Sequence, residues 1–459
     1  MMQFTLKLEF NGSVPLYTQL YRYIVDEIRA GRLTENERMP SKRSLCEYLG
    51  ISQSTVETAY SILVAEGYLR TRPRSGYFVC PYEVLAQTTA CPPTLPPVKK
   101  AEELSYHFST SAVDTSIFPY ATWAKLSREV IYENPALLQR GDSQGDLSLR
   151  RALSGFLHQY RGVRCDPAQI IIGAGMEYLL NLIVGILPAD SVFGLETPGY
   201  TANYRTLQNN NRTVCPIPLD ADGISVKTLA QSSATVAYVT PSHQFPMGIT
   251  MPIGRRTQLL KWASLAPERY VIEDDYDSEF RYTSRPIPAM QGLDDAGRVV
   301  YIGTFSRSIA PSIRVAYLVL PMPLLARYHA RFDYAASTVS RFEQQTLARF
   351  IAEGFYARHL RRVSTFYRDQ LSLLLSLLCE IPGVSVSGHD AGLHFLLTHA
   401  SLSELDLVTR AATAGVRIHG LSEYCHHPPQ PSSTVVLGFA GLSEDEMIQA
   451  TRRLAEAWH

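Results

Sequence analysis

From residue 104 to the C-terminus, short β-branched runs alternate with amphipathic stretches, and that alternation most narrows the folds open to this chain. Strands are expected at 170–172, 191–195, 235–239, 270–273, 299–303 and 315–320, separated by helical patterns such as 147–160 and 255–265. Strands that are apolar on both faces, with helices between them, require a mainly parallel sheet covered by helices, an α/β fold. The tail reads differently. A long helix expected over about 337–378 precedes strands at 384–386, 393–397, 416–418 and 435–439, and a helix over 444–458 closes the chain. This predicts a smaller α+β subdomain attached to the main sheet.

The first eighty residues carry another period. Pro15 opens a helical pattern with Leu16, Leu20, Ile24 and Ile28 on one face, ending near Gly31. Ser41 is placed to cap a helix bearing Leu45 and Leu49, which Gly50 closes. Ser52 caps a third helix with Val56, Ala59, Ile62 and Leu63 inward, and Gly67 ends it. The segments 67–72 and 75–79 then read as a β-hairpin. Three helices and a hairpin in this order make a winged helix-turn-helix over residues 14–80. Its third helix begins with Ser52, Gln53, Ser54 and Thr55, small donors plus a glutamine suited to adenine. The wing tip carries Arg72 and Arg74 beside Gly76, placed for phosphates or a minor groove. A small interaction module with merely solvated arginines fits the spacing equally well.

Between the two lies a linker, expected at 81–103, where Pro92, Pro93, Pro96 and Pro97 precede Lys99 and Lys100. The remainder, 104–459, forms the second domain. A length of 459 residues with 46% hydrophobic and 19% charged residues suits two or three globular domains with sizeable cores. The formal net charge of +0 implies no global attraction to nucleic acid or membrane, so DNA binding has to come from a local patch. Seven scattered cysteines, without a CxxC pair or histidines at zinc spacing, are expected to be reduced thiols of a cytoplasmic protein, and no metal site is expected. The N-terminus lacks a signal-peptide pattern. The apolar run 371–378 is too short for a membrane span and reads as a core helix.

Loops at the predicted strand ends carry the chemistry. Gly173-Ala174-Gly175-Met176-Glu177 joins a strand to a helix, where backbone N–H groups hold a phosphate, although such turns are often only tight connections. Glu196-Thr197-Pro198-Gly199-Tyr200 sets an aromatic after a Pro-Gly turn, to stack on a ring or to pack on the turn itself. In the 240–248 loop, His243 either faces a ligand or bonds within the loop. Glu273-Asp274-Asp275-Tyr276-Asp277 puts four acids behind a buried-looking strand, which is costly unless a cation partners them. A protonated pyridine nitrogen would serve; the alternative is a solvated acidic loop or a divalent-metal site, the latter disfavoured because no histidine or further carboxylate stands at ligand spacing. The run YIGTFSRSIAPSIRVAY over 301–317 gathers Thr304, Ser306, Ser308, Arg307 and Arg314, which suits a dianionic phosphate.

Two resemblances extend this reading. The segment MPSKRSLCEYLGISQSTVETAYSILVAEGYLRTRPRSGYFV resembles the GntR-type DNA-binding domain along its length. That resemblance implies DNA contacts from Ser41, Arg43, Ser52, Gln53, Ser54 and Thr55, although the family usually has arginine where Gln53 stands. The GAG turn, ETPGY, TPSHQFPMG, EDDYDSEF and GTFS-x-SIAPSIR, in this order, resemble the fold-type I aminotransferases that use pyridoxal 5'-phosphate (PLP). The likeness implies that Asp274 pairs the pyridine nitrogen, Tyr276 the ring hydroxyl, and that Tyr200 stacks on the ring. Gly175, Met176 and Glu177, with Thr304, Ser306 and Arg314, would hold the phosphate. Where the family has the lysine that forms the Schiff base, this chain has Arg307. A guanidinium with a pKa above about 12 is never a neutral nucleophile. The segment 435–439 also lacks the carboxylate-clamping arginine usual in that region. No catalytic residue is therefore expected; PLP is bound non-covalently with Arg307 paired to it, or the pocket has lost or changed its ligand.

A GntR-type domain joined to an aminotransferase-like domain resembles the MocR-type transcriptional regulators. That implies a homodimer that binds double-stranded DNA, senses PLP or an amino compound, and controls vitamin B6 or amino-acid metabolism genes. The rival reading is an active PLP-dependent aminotransferase with a vestigial DNA-binding module, which needs another lysine to reach the cofactor; Lys261, in a helix, and Lys227, in a surface segment, are poorly placed for it.

Overall fold

Three helices start and stop in the N-terminal segment where its capping residues dictate. In the computed structural model they are α1 (Leu16–Arg29), α2 (Lys42–Leu49) and α3 (Gln53–Ala65), followed by a hairpin of β1 (Leu69–Arg72) and β2 (Gly76–Val79). The structure describes residues 6, 8–10, 12–82, 104–282, 287–426 and 432–459. The chain divides into two units, Met1–Ala101 and Glu102–His459. Beyond Tyr82 the expected linker, with its prolines, lysines and Cys91, lies outside the described residues. The cysteines within them are free thiols.

In the first unit, the Ser41 hydroxyl accepts the Ser44 N–H at 3.1 Å, and the Ser52 hydroxyl accepts the Thr55 N–H at 3.3 Å. Each cap satisfies a donor that the first helical turn leaves open. Gly50 ends α2 in the left-handed region at φ +66°, the conformation glycine adopts at least cost. Leu20, Ile24 and Ile28 of α1 pack with Leu45, Val56, Ala59, Leu63, Leu69 and Val79. Tyr60 is fully buried in the same core and donates to the Pro40 carbonyl at 3.0 Å, whereas Ile62, expected inside, is only half-buried. The hairpin is antiparallel, in register from Leu69 opposite Val79 to Arg72 opposite Gly76.

The second unit is built on an eight-stranded sheet. Its spatial order is Ile170–Gly173, Ala316–Val319, Val299–Thr304, Tyr270–Asp275, Val236–Val239, Phe193–Thr197, Val214–Asp220 and Gly223–Ile224. The strands from Val299–Thr304 through Val214–Asp220 are mutually parallel, while Ala316–Val319 runs antiparallel to both its neighbours. Successive residues of one strand feed opposite cores. Ile171 packs with Leu179 and Ile183 of the helix Met176–Ile186, and Ile170 and Ile172 pack with Leu149, Leu153 and Leu157 of the helix Leu147–Arg161. Burial on both faces explains the continuous apolar runs of the sequence.

The two strands Val214–Asp220 and Gly223–Ile224 were not expected. Pro216 and Pro218 interrupt the first, and they are tolerated because the register gives them a partner strand on one side only. The single helix expected over 337–378 is two, Arg341–Ala352 and Phe355–Leu378. Gly354 takes φ +73° between them, turning the chain although the apolar pattern continues across the break.

The tail forms a four-stranded antiparallel sheet in the order Val384–Ser387, His394–His399, Thr434–Gly438 and His419–Gly420. The helices Phe355–Leu378 and Glu444–Trp458 contribute Leu371, Leu374, Leu378, Leu454 and Trp458 to its core. Val416–Arg417 leaves that sheet and pairs in parallel with Tyr106–His107. No helix among the described residues is long and apolar enough to cross a membrane.

Candidate ligand cavity and nucleic-acid interface

Parallel strands bring their carboxyl ends to one edge of a sheet, so residues far apart in sequence converge there. The loop after Phe193–Thr197 supplies Tyr200, that after Val236–Val239 supplies Thr240, and Tyr270–Asp275 supplies Asp274 and then Tyr276. With Thr304 and the start of the helix Met176–Ile186, they line a cavity of about 180 Å³. Met176, Glu177, Tyr200, Asp274, Tyr276, Thr304, Ser306, Arg307 and Arg314 all lie on its wall, as the sequence nominated them. Gly175 sits just behind, at the helix N-cap.

The four acids of 273–277 are all buried, which rules out a solvated loop. Each has its own solution. Glu273 accepts the N–H groups of Met290 at 2.7 Å and Gln291 at 2.8 Å. Asp275 holds the buried Arg161 guanidinium through two bonds, of 2.8 and 3.2 Å, and also accepts the Tyr301 hydroxyl. Asp277 lies 2.8 Å from Nδ1 of His243. Asp274 differs. The Tyr238 hydroxyl donates to its Oδ2 at 2.5 Å, but its Oδ1 is buried with no partner among the described residues. Burial, reinforced by the nearby Asp275, Asp277 and Glu196, pushes this carboxyl up to about 7, against the bond from Tyr238. An orphaned carboxylate oxygen on a cavity wall fits a ring N–H carrying positive charge.

The other end of the cavity suits an anion. Gly175 adopts φ +99°, and a Cβ there would run into the Arg314 guanidinium. Arg314, itself left-handed at φ +50°, donates to the Ala174 carbonyl at 3.2 Å and to Glu177 Oε2 at 3.0 Å. The Glu177 carboxylate is therefore engaged, and what it can offer an anion is its backbone N–H at the helix start. The Thr304 hydroxyl donates to Ser306 Oγ at 3.0 Å and accepts the Ser306 N–H at 3.1 Å. Ser308 points elsewhere, to the Tyr356 hydroxyl at 2.9 Å. The Tyr200 ring meets Phe245 edge-on at 5.5 Å.

His243 turns to the neighbouring strand end rather than bonding within its own loop. Its Nδ1 lies 3.2 Å from the Tyr276 hydroxyl, which also donates to the His243 carbonyl at 3.0 Å. His394, from the other sheet, brings its ring to 4.8 Å from that of His243. His243, Asp277 and His394 thus offer potential metal-ligand atoms within 4.8 Å of one another, a grouping the sequence was not expected to contain. Sequence spacing detects only local ligand sets, and His394 arrives on a distant strand. Hydrogen bonds occupy His243 Nδ1, Asp277 Oδ2 and His394 Nε2, the last lying 3.1 Å from the Pro246 carbonyl, while His243 Nε2 is buried without a partner among the described residues.

Tyr238, Asn203, Thr240 and Phe245 were not singled out. Tyr238 showed in sequence only as a lone hydroxyl in an apolar strand; its register with Ile272, two residues before Asp274, is what aims it at the carboxylate.

In the first unit Ser41, Arg43, Ser52, Gln53, Ser54, Arg72, Arg74 and Gly76 are exposed, and Thr55 is half-buried. Ser41 and Ser52 spend their hydroxyls on capping, and Thr55 Oγ1 lies 2.8 Å from Ser52 Oγ. Arg43 pairs with Glu47 at 3.1 Å, an exposed contact too weak to keep it from a phosphate. Arg72 stacks on Phe78 at 4.5 Å and donates to Asn36 at 3.1 Å. Arg74 stands at the wing turn with φ +62°, and Gly76 follows with φ +100°.

Comparisons with known proteins match this division. The family model described as bacterial regulatory proteins, gntR family, covers residues 16–79. The chain is 40% identical to the HTH-type transcriptional regulator YdeL of Bacillus subtilis, over 97% of each chain. It is 32% identical to the probable rhizopine catabolism regulatory protein MocR of Rhizobium meliloti, over 99% of this chain and 96% of that one. With the HTH-type pyridoxine biosynthesis transcriptional regulator PdxR of Corynebacterium glutamicum it shares 31% identity, over 97% and 96%. Among solved structures, the multiple substrate aminotransferase of Thermococcus profundus superposes with a TM-score of 0.69 at 25% identity, covering 78% of this chain and 92% of that one.

Proposed function

This chain belongs to the MocR type of GntR-family transcriptional regulators, and on that premise we propose that it senses PLP, or a related phosphorylated ring, held without a covalent bond. It is a DNA-binding regulator whose second unit has an aminotransferase fold. The observation that carries the reading is the unpartnered Oδ1 of Asp274 in a cavity that also holds an anion cup. Asp274 would pair the ring nitrogen, Tyr276 the ring hydroxyl, and Tyr200 would cover the ring face. The turn at Gly175 would present the N–H groups of Met176 and Glu177, and these, the hydroxyls of Thr304 and Ser306, and Arg314 would take the phosphate.

When bound, PLP supplies an aldehyde that condenses with amines. Enzymatic use of it needs a lysine as nucleophile and base. Among the described residues no lysine lines the cavity. Arg307 stands there, and its guanidinium stays charged. Lys227 and Lys261, the candidates for an active aminotransferase, are exposed on the helices Val226–Gln231 and Ile253–Ser264. The second unit therefore acts as a sensor with no catalytic residue.

The first unit reads operator DNA through Gln53, Ser54, Thr55, Arg43 and the wing arginines Arg72 and Arg74 at Gly76, with Ser41 and Ser52 fixing the helix starts. The protein works in the cytoplasm as a homodimer, on genes of vitamin B6 or amino-acid metabolism; the name of the PdxR relative supports the first of these.

Calorimetric titration of the full chain with PLP, followed by borohydride treatment and mass spectrometry, tests the sensor reading. Saturable binding without a trapped adduct is expected. A single lysine adduct, or no binding, overturns it.

A further inference from the structure

Arg307 lines the cavity, and its Nη1 is buried without a hydrogen-bond partner among the described residues. No carboxylate of the described residues forms an ion pair with it, although Arg314, on the same wall, has Glu177. Its positive field is felt instead by neutral groups. Burial raises the hydroxyls of Tyr200, Tyr276 and Tyr424 and lowers the ring of His394; the Arg307 charge opposes the first three shifts and adds to the last. A buried guanidinium donor without an acceptor is costly, and the missing partner has to be an oxygen with negative charge or strong acceptor character. The anion cup at Thr304 and Ser306 is one such place, but a phosphate there is already met by the helix start and Arg314.

We propose that Arg307 makes this cavity discriminate ring phosphates by the substituent next to the ring hydroxyl, binding those that carry an oxygen acceptor and rejecting those that carry an ammonium. The inference rests on the sensor reading above and deepens it. A guanidinium presents its N–H groups as a planar fork. The aldehyde oxygen and the adjacent ring oxygen of PLP offer two acceptors side by side, and a carboxylate in the aldehyde's place offers two on one carbon. The aminomethyl form, pyridoxamine 5'-phosphate, places a protonated amine against the guanidinium. It offers no acceptor and adds a like charge in a buried site. The regulator would then respond to the aldehyde pool and ignore the amine pool, a distinction that needs no covalent step.

Calorimetry on the full-length protein with three ligands tests this: PLP, pyridoxamine 5'-phosphate and 4-pyridoxic acid 5'-phosphate. The protein is expected to bind the aldehyde and the carboxylate, and the amine more weakly by about tenfold or more, the factor one charge-assisted hydrogen bond supports. In Arg307→Gln the gap between carboxylate and amine should collapse, with folding verified by circular dichroism and by thermal denaturation of the second unit. In Arg307→Lys the carboxylate preference should persist, while PLP becomes trappable by borohydride. Equal affinity for aldehyde and amine, or a gap that survives in Arg307→Gln, overturns the selectivity and leaves the sensor reading standing. Failure of all three ligands to bind overturns both.

Discussion

The winged-helix unit draws its candidate contacts from one continuous stretch, Ser41 to Gly76, and leaves nearly all of them exposed. The cavity of the second unit instead gathers residues from Ser111 to Arg314, with the buried Asp274 on its wall and the buried acids Glu273, Asp275 and Asp277 beside it in the chain. The difference is one of solvation. A DNA contact has to meet a hydrated, charged partner, so its side chains stay in water and salt screens them. A ligand cavity works by withdrawing charge from water, which is affordable only when each acid has a donor of its own, as Glu273, Asp275 and Asp277 do. Asp274 stands apart because half of its demand is left open.

The strongest way to break this contrast is to remove a buried partner. Arg161→Ala leaves Asp275 without its cation, and the second unit should lose about 3–5 kcal/mol. Chemical denaturation followed by the tryptophans, all of which lie in this unit, is the measurement. A loss below about 1 kcal/mol would mean that Asp275 finds another partner.

Asp274→Asn separates binding from stability. The variant should bind PLP about tenfold or more weakly, because its amide cannot pair a charged ring N–H as an anion does. Its effect on the unliganded protein runs the other way. The Asp274 carboxyl is raised to about 7, so the folded state keeps a proton that the unfolded chain releases at its ordinary value of about 4. The stability this group contributes is fullest below about pH 4 and is lost as pH rises through about 7. Unliganded Asp274→Asn should therefore gain relative to the parent as pH rises from about 4 to about 7 and hold that gain above it, read as Tm at each pH. A parallel pair of Tm curves would sink the assignment.

The smallest effects belong to the exposed unit. Ser52→Ala removes the α3 cap and should cost about 1 kcal/mol. Arg74→Ala should leave folding unchanged and reduce the slope of log affinity against log salt by about one. An unchanged slope would take the wing tip off the phosphates.

Much of this was readable in advance because it is local. The caps Ser41, Gly50 and Ser52 act within one turn, and the parallel-strand runs declare themselves by being apolar on both faces. The cavity wall was also legible, since strand-end motifs carry their residues in short blocks. What escaped depended on distant partners. Tyr238 reaches Asp274 only because two strands lie in register, and His394 meets His243 only because a second sheet brings it there. The break at Gly354 was hidden by an apolar pattern that runs on through it.

By itself the sequence determined the three-helix-and-hairpin reader, the α/β class and the presence of Arg307 in a phosphate-type loop. These follow from short-range propensity and from residue chemistry that no context alters, above all the permanent charge of a guanidinium. Tertiary structure alone decided which acids are satisfied. Burial sets the cost of a charge and long-range packing sets its partners, so only the folded chain could leave Asp274 Oδ1 and Arg307 Nη1 open in one cavity.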